Sequence, residues 1–158
     1  MKNKFTHIDD LGNPQMVDVS GKGVTVRLAS ARATVRLGKK IIALMKGNEL
    51  ITKKGPVFQT AILAGVMGAK KTSEIIPLCH PVGLEDCRLT ISVKKEKVII
   101  DSEAKTTDKT GVEMEALSAV AIAALTVYDM CKALSHDITI EEIKLLSKTG
   151  GKKDFRRK

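Results

Sequence analysis

From Ala31 to Leu37 the chain alternates without exception, apolar at odd positions and polar at even ones. That spacing predicts a strand with one wet face, ended by Gly38. Lys39 to Lys46 reads as a short amphipathic helix, stopped by Gly47-Asn48. Pro56 then opens a second helix that runs to Ala69, because a first helical turn does not need the N–H that proline lacks. Gly65 and Gly68 weaken that helix intrinsically, so their expected use is close approach to a neighbouring backbone. Leu89, Ile91 and Val93 alternate with polar residues, Glu96-Lys97 turns, and Val98, Ile100, Ser102 and Ala104 return as one face of a partner strand. A long helix spans about 112–134, with an almost wholly apolar middle from Ala116 to Val127. Ile138 to Lys148 is one more strand or two short ones.

The order β-α-α-β-β-α-β predicts an α+β fold, a ferredoxin-like sandwich with an antiparallel sheet and two main helices on one face. The 158 residues read as a single domain over 1–158. Residues 1–22 form an irregular N-terminal arm with a turn at Gly12-Asn13-Pro14, and 149–158 a basic C-terminal tail. There is no internal repeat and no linker.

The long helix carries ionisable residues at both ends of its apolar run. Glu113 and Glu115 open it; Asp129 and Lys132 close it. An all-round apolar helix is expected to be buried all round, and buried charge needs a partner or a task. Asp129 and Lys132, three apart, share a face. Spacing alone allows a surface ion pair or an acid/base pair in a cleft, and the apolar flanks Tyr128, Met130 and Cys131 point to partial burial. Glu113 and Glu115 equally suit the positive end of the helix dipole. His80, in the Pro77–Pro81 loop with Leu78 and Cys79, reads either as a structural histidine or as a phosphate-contacting or proton-relaying one.

Composition narrows the classes. The net charge is +9, and Lys148 to Lys158 holds six basic residues against one acid. A mildly basic body suits anionic small molecules or nucleic acid. Three Phe, one Tyr and no Trp leave few platforms for stacking bases, which counts against a nucleic-acid-binding module. Lys53-Lys54-Gly55-Pro56, Lys70-Lys71-Thr72 and Lys148-Thr149-Gly150-Gly151-Lys152 place lysines beside turns, together fitting a polyphosphate. The last of these lacks the Walker pattern. Cys79, Cys87 and Cys131 have no ligand spacing with His80 or His136, so no metal site is expected, and they read as reduced cytosolic thiols. The N-terminus has no apolar signal core and no apolar run is long enough to span a membrane, so a cytoplasmic protein is expected.

Five motifs in register carry a resemblance. Met16-Val17-Asp18-Val19-Ser20, Ala69-Lys70-Lys71-Thr72, Ile76-Pro77-Leu78-Cys79-His80-Pro81, Lys109-Thr110-Gly111-Val112-Glu113-Met114-Glu115-Ala116-Leu117 and Leu125-Thr126-Val127-Tyr128-Asp129-Met130-Cys131-Lys132-Ala133 resemble the MoaC family, over roughly residues 6–152. These are the cyclic pyranopterin monophosphate synthases of molybdenum-cofactor biosynthesis. The resemblance implies a lyase that takes 3′,8-cyclo-7,8-dihydroguanosine 5′-triphosphate to cyclic pyranopterin monophosphate and pyrophosphate. It implies Asp129, Lys132 and Lys54 as catalytic residues. It implies Leu78, Cys79, His80, Glu113, Met114 and Glu115 as substrate-binding, with Lys22 and Arg27 as basic positions on loops that approach the substrate. It implies no cofactor, which fits the lack of flavin, NAD or iron–sulfur motifs. It also implies a homo-oligomer, a hexamer built as a trimer of dimers. The chain departs at Pro56, where the family often has an acid, at Ile62-Leu63, where an Arg is common, and at Val82, which replaces a frequent Leu. Lys153 to Lys158 lies outside the family pattern.

Glu115 and Asp129 are 14 residues apart on one helix, about 21 Å at 1.5 Å per residue. One small substrate does not bridge that span. A pocket shared between subunits, with such helices paired antiparallel across a two-fold axis, is therefore expected.

Overall fold

The computed structural model describes Ile8 and residues 11–158. Most of the first ten positions of the expected arm lie outside the described residues. The elements are β1 (Thr25–Arg36), α1 (Lys39–Ile42), β2 (Ile51–Thr52), β3 (Gly55–Pro56), α2 (Val57–Lys70), α3 (Thr72–Ile75), β4 (Asp86–Lys94), β5 (Lys97–Asp108), α4 (Glu113–Cys131), β6 (Thr139–Thr149) and β7 (Phe155–Arg156).

The main sheet runs β4-β5-β1-β6-β7, with every neighbouring pair antiparallel. Without the short β7 this is the ferredoxin-like order, with β1 central. Helices α2 and α4 pack on one face, α4 over β1, β5 and β6 and α2 over β4. The alternation in β1 holds: Ala29, Ala31, Ala33 and Val35 are buried beneath the helices. Val98, Ile100 and Ala104 of β5 and Leu89 of β4 complete that floor. The opposite face carries a polar ladder that includes the Arg32–Asp101 pair at 2.6 Å.

Several boundaries differ from the sequence expectation. β1 begins six residues earlier than Ala31 and stops at Arg36. The first helix is only Lys39–Ile42, because Lys46 bridges Glu49 instead of extending it. Pro56 is not in the helix; it is the N-cap of α2 and the end of β3. The hairpin between β4 and β5 turns at Lys95-Glu96, with Lys95 at φ 56°. β6 is one strand, kinked by two bulges at Glu141 and Leu146 that have no opposite residue on β1. Two-residue strands β2 and β3, helix α3 and strand β7 have no periodicity long enough to predict. The basic tail is thus partly sheet: Phe155 and Arg156 pair with Lys148 and Ser147.

α4 is not buried all round. Ala116, Ala119, Val120, Ala123, Ala124 and Val127 are buried, but Met114 is 37% and Leu125 55% exposed. Long and apolar enough by composition to cross a membrane, it packs here as a core helix. Its approach to α2 is set by small residues. A Cβ on Gly65 would strike the Leu89 side chain and come within 2.8 Å of the Ala119 carbonyl oxygen. One on Gly68 would come within 2.7 Å of Ile122. The close approach expected of these glycines is what they do.

Gly65→Ala should therefore destabilise the protein by about 1–3 kcal/mol, the usual overpacking range. It should do so although alanine favours a helix interior by about 1 kcal/mol over glycine. Guanidinium unfolding curves measure the difference. A variant as stable as the parent would mean that α4 retreats from α2 without loss.

Candidate functional site

Lys54 sits in the two-residue turn of the β2–β3 hairpin, between Thr52 and Gly55. Gly55 takes φ 107°, a left-handed conformation that side chains resist. The Thr52 hydroxyl accepts the Lys54 N–H at 3.2 Å, fixing the turn. The Lys54 ammonium then donates to Asp129 Oδ2 at 2.6 Å and to the Asp129 carbonyl at 3.1 Å. Lys132, one helical turn beyond Asp129, donates to its other oxygen, Oδ1, at 2.9 Å. Two ammoniums thus share one carboxylate at the C-terminal end of α4.

All three side chains are about half exposed, so the partial burial expected here is slight. Their hydrogen bonds dominate the electrostatics. The Lys54 and Lys132 ammoniums hold the Asp129 carboxyl down at about 2. Asp129 in turn pushes the Lys132 ammonium above its ordinary value. The pairing stabilises the ionised form of Asp129 and the protonated form of Lys132.

A second set gathers at the other end of α4. Leu78, Cys79, His80, Glu113, Met114, Glu115 and Lys22 line one open cleft of about 640 Å³. An adjoining pocket of about 130 Å³ shares Lys22, Glu113 and Lys152 with it and adds Arg27, Lys109 and Lys148. Three of the five motifs, 16–20, 76–81 and 109–117, thus meet in space. Arg27 is not on a loop; it lies on β1, and its guanidinium donates to the carbonyls of Asp108 and Lys109 at 3.3 Å. Lys109 reaches the Ser20 carbonyl at 2.9 Å and so ties the strand end to the N-terminal arm.

Glu115 is only 4% exposed, and burial raises its pKa, with Glu113 adding to the shift. Burial likewise raises the Cys79 thiol. Glu113, by contrast, is paired with Lys148 at 2.8 Å. The cleft therefore has a buried, poorly solvated carboxyl on one wall and a cationic floor beside it. Among the described residues, no group of three His, Cys, Asp or Glu side chains is placed to hold a metal ion.

Asp18, Lys109, Lys148 and Lys152 line these pockets but were outside the expected site set. Asp18 and Lys109 belong to matched motifs, which was signal enough. Lys148 was harder to find. Its partner in the sheet is Ala29, which faces the helices, and only the bulge at Leu146 turns Lys148 to that side. The two half-sites remain apart in one chain, at opposite ends of a 19-residue helix, about 21 Å between Glu115 and Asp129 along its axis.

The sequence model of the MoaC family matches residues 16–151. The chain is 50% identical over 157 residues to "Molybdenum cofactor biosynthesis protein 1" of Drosophila melanogaster, covering 98% of this chain but only 27% of that protein. It is 48% identical to "Cyclic pyranopterin monophosphate synthase" of Xanthomonas oryzae pv. oryzae, over 96% of this chain and 93% of the relative. A protein of the same name from Peptoclostridium acidaminophilum is 45% identical, over 94% of each. A match across so much of the chain, and across nearly the whole of the bacterial relatives, places this chain in the MoaC family.

Proposed function

We propose that the chain is a cyclic pyranopterin monophosphate synthase of molybdenum-cofactor biosynthesis, a cytoplasmic lyase. It takes 3′,8-cyclo-7,8-dihydroguanosine 5′-triphosphate to cyclic pyranopterin monophosphate and pyrophosphate. The observation that carries the reading is the Lys54–Asp129–Lys132 cluster, a carboxylate clamped by two ammoniums on a family chain.

The reaction opens part of the guanine ring system, closes a pterin ring and forms a cyclic phosphate. In the last of these a substrate hydroxyl attacks the α-phosphorus, and the bond from that phosphorus to the pyrophosphate oxygen breaks. Each step moves protons, and the last releases a highly charged leaving group. Lys132 and Lys54 supply the protons: both are cationic donors already oriented by Asp129. Asp129 stays ionised and stabilises positive charge that develops next to it. Lys22, Arg27, Lys109, Lys148 and Lys152 bind the triphosphate electrostatically. Leu78, Cys79, His80, Met114 and the buried Glu115 receive the ring system.

The 21 Å between the half-sites leads to a composite pocket. Two copies of α4, antiparallel across a two-fold axis, bring the cleft of one subunit to the lysine cluster of its partner. The exposed Met114 and Leu125 leave part of α4 uncovered within its own chain, which supports this pairing. The assembly is a homo-oligomer, a hexamer as a trimer of dimers.

Incubation with the cyclic dihydroguanosine triphosphate should release pyrophosphate and yield a fluorescent pterin after oxidation. Plain GTP should give neither, because the new carbon–carbon bond must already exist. Absence of product from the cyclic triphosphate sinks the assignment.

Asp129→Asn should lower kcat by about 10²-fold or more, a range typical for a group that organises proton transfer. KM should stay within a few-fold. A kcat close to the parent's would reduce the carboxylate to a structural ion pair.

His80→Ala and Asp129→Ala, each inactive alone, should regain activity when unfolded and refolded together. A mixed dimer contains one intact pocket. Mixed dimers confirmed by mass, yet without activity, would place each pocket in a single chain.

A further inference from the structure

The hairpin that carries Lys54 has only two residues in each strand, far too few to hold a conformation alone. Its mouth is closed by one backbone bond, Val57 N–H to the Leu50 carbonyl, and by one side chain. The Glu49 carboxylate accepts three backbone N–H groups: Leu50 at 2.8 Å and Phe58 at 2.8 Å on Oε1, and Gln59 at 3.1 Å on Oε2. Leu50 lies just before β2, and Phe58 and Gln59 are the second and third residues of α2. Glu49 therefore binds both ends of the 51–56 segment together.

The tie replaces something the sequence lacks. The N-cap of α2 is Pro56, which offers no side-chain acceptor, and no cap bond forms there. An N-cap Asp or Ser would accept the N–H of the second or third helical residue. Glu49 takes both from seven residues upstream. The Leu50 carbonyl accepts the Val57 N–H at 2.9 Å, so the first three amides of α2 are all satisfied by Glu49 and Leu50. Glu49 itself is fixed by two reciprocal backbone bonds with Lys46, at 2.8 and 3.2 Å, around Gly47.

Resting on the functional reading above, we infer that Glu49 is the positioning residue for Lys54. Its carboxylate sets the exit of the hairpin from α2, and so the direction from which the Lys54 ammonium reaches Asp129. It lines neither of the two pockets described above. With the tie cut, the mouth between Leu50 and Phe58 widens and Lys54 swings away from the carboxylate. A misplacement of about 1 Å at a reacting group is worth up to about 100-fold in rate.

The test uses the full-length protein in two variants. Glu49→Ala should lower kcat roughly 10- to 100-fold while KM stays within threefold. In the same variant, Lys54 should react several-fold faster with an acetylating N-hydroxysuccinimide ester, measured by peptide mass spectrometry against neighbouring Lys53. Glu49→Ala/Pro56→Asp separates position from stability. Asp at residue 56, whose backbone is already extended at φ −72° and ψ 121°, restores a helix cap but not the tie. The double variant should regain the parent's Tm while kcat stays low and Lys54 stays reactive. Should Glu49→Ala fail to fold, the double variant alone carries the comparison with the parent. Recovery of kcat along with Tm, or a folded Glu49→Ala with the parent's kcat, overturns the assignment. The labelling arm needs no turnover: an inactive parent would sink the enzyme reading, and unchanged Lys54 labelling in the variant would sink the role of Glu49 separately.

Discussion

Everything in this fold is arranged around how closely α4 can lie against its neighbours. Its inward positions are nearly all alanine or valine, and they rest on the alanines of β1. From the side, α2 meets it at two glycines. Small residues on both surfaces let backbones approach and gain dispersion contacts along the whole length of the helix. Such packing tolerates little displacement, so α4 acts as a stiff rod with a fixed rotation. That rotation decides which side of the helix holds Glu115, Asp129 and Lys132, and hence where chemistry can take place.

The charges follow from this frame. Large aliphatic side chains would have separated the layers and left space for the ends of α4 to tilt. Instead the rod delivers a half-exposed carboxylate to the β2–β3 hairpin at one end and a buried carboxyl to a cationic cleft at the other. The environments are opposite. Lysine donors hold Asp129 ionised, whereas burial favours the protonated form of Glu115. Two carboxyl groups on one helix thus take different protonation behaviour from surroundings that packing assigns to them.

How much of this was readable beforehand depended on whether a signal repeats. Ala31 to Leu37 and Leu89 to Val93 repeat with period two, and their faces came out as read. The glycine pair on α2 was readable because glycine inside a helix needs a packing reason. Pro56 was misread by one position: its fixed φ suits a helical first turn and an N-cap equally, and the arbiter was the Glu49 carboxylate, distant in sequence. The β2–β3 hairpin is too short for any period. The motif residues were legible as a set, and helix rise alone separated Glu115 from Asp129. The resemblance implies a loop position for Arg27, and the structure places it on β1. Lys148 escaped because counting by twos along β6 fails at Glu141 and again at Leu146.

Those two bulges have a consequence for how the gene can change length. An unpaired residue in a strand can be deleted without altering which side its neighbours face, because the ladder simply becomes regular. In β6 that freedom exists at Leu146 and at Glu141, although losing Glu141 also removes the partner of Arg36 and Lys97. Loss of any other residue between them must be absorbed by straightening a bulge, or it turns Leu145 out of the core and Lys148 out of its pocket. Single-codon deletions in this strand are therefore filtered by position and not by residue type, and at Leu146 the loss also removes the carbonyl that accepts the Arg157 N–H at 2.8 Å.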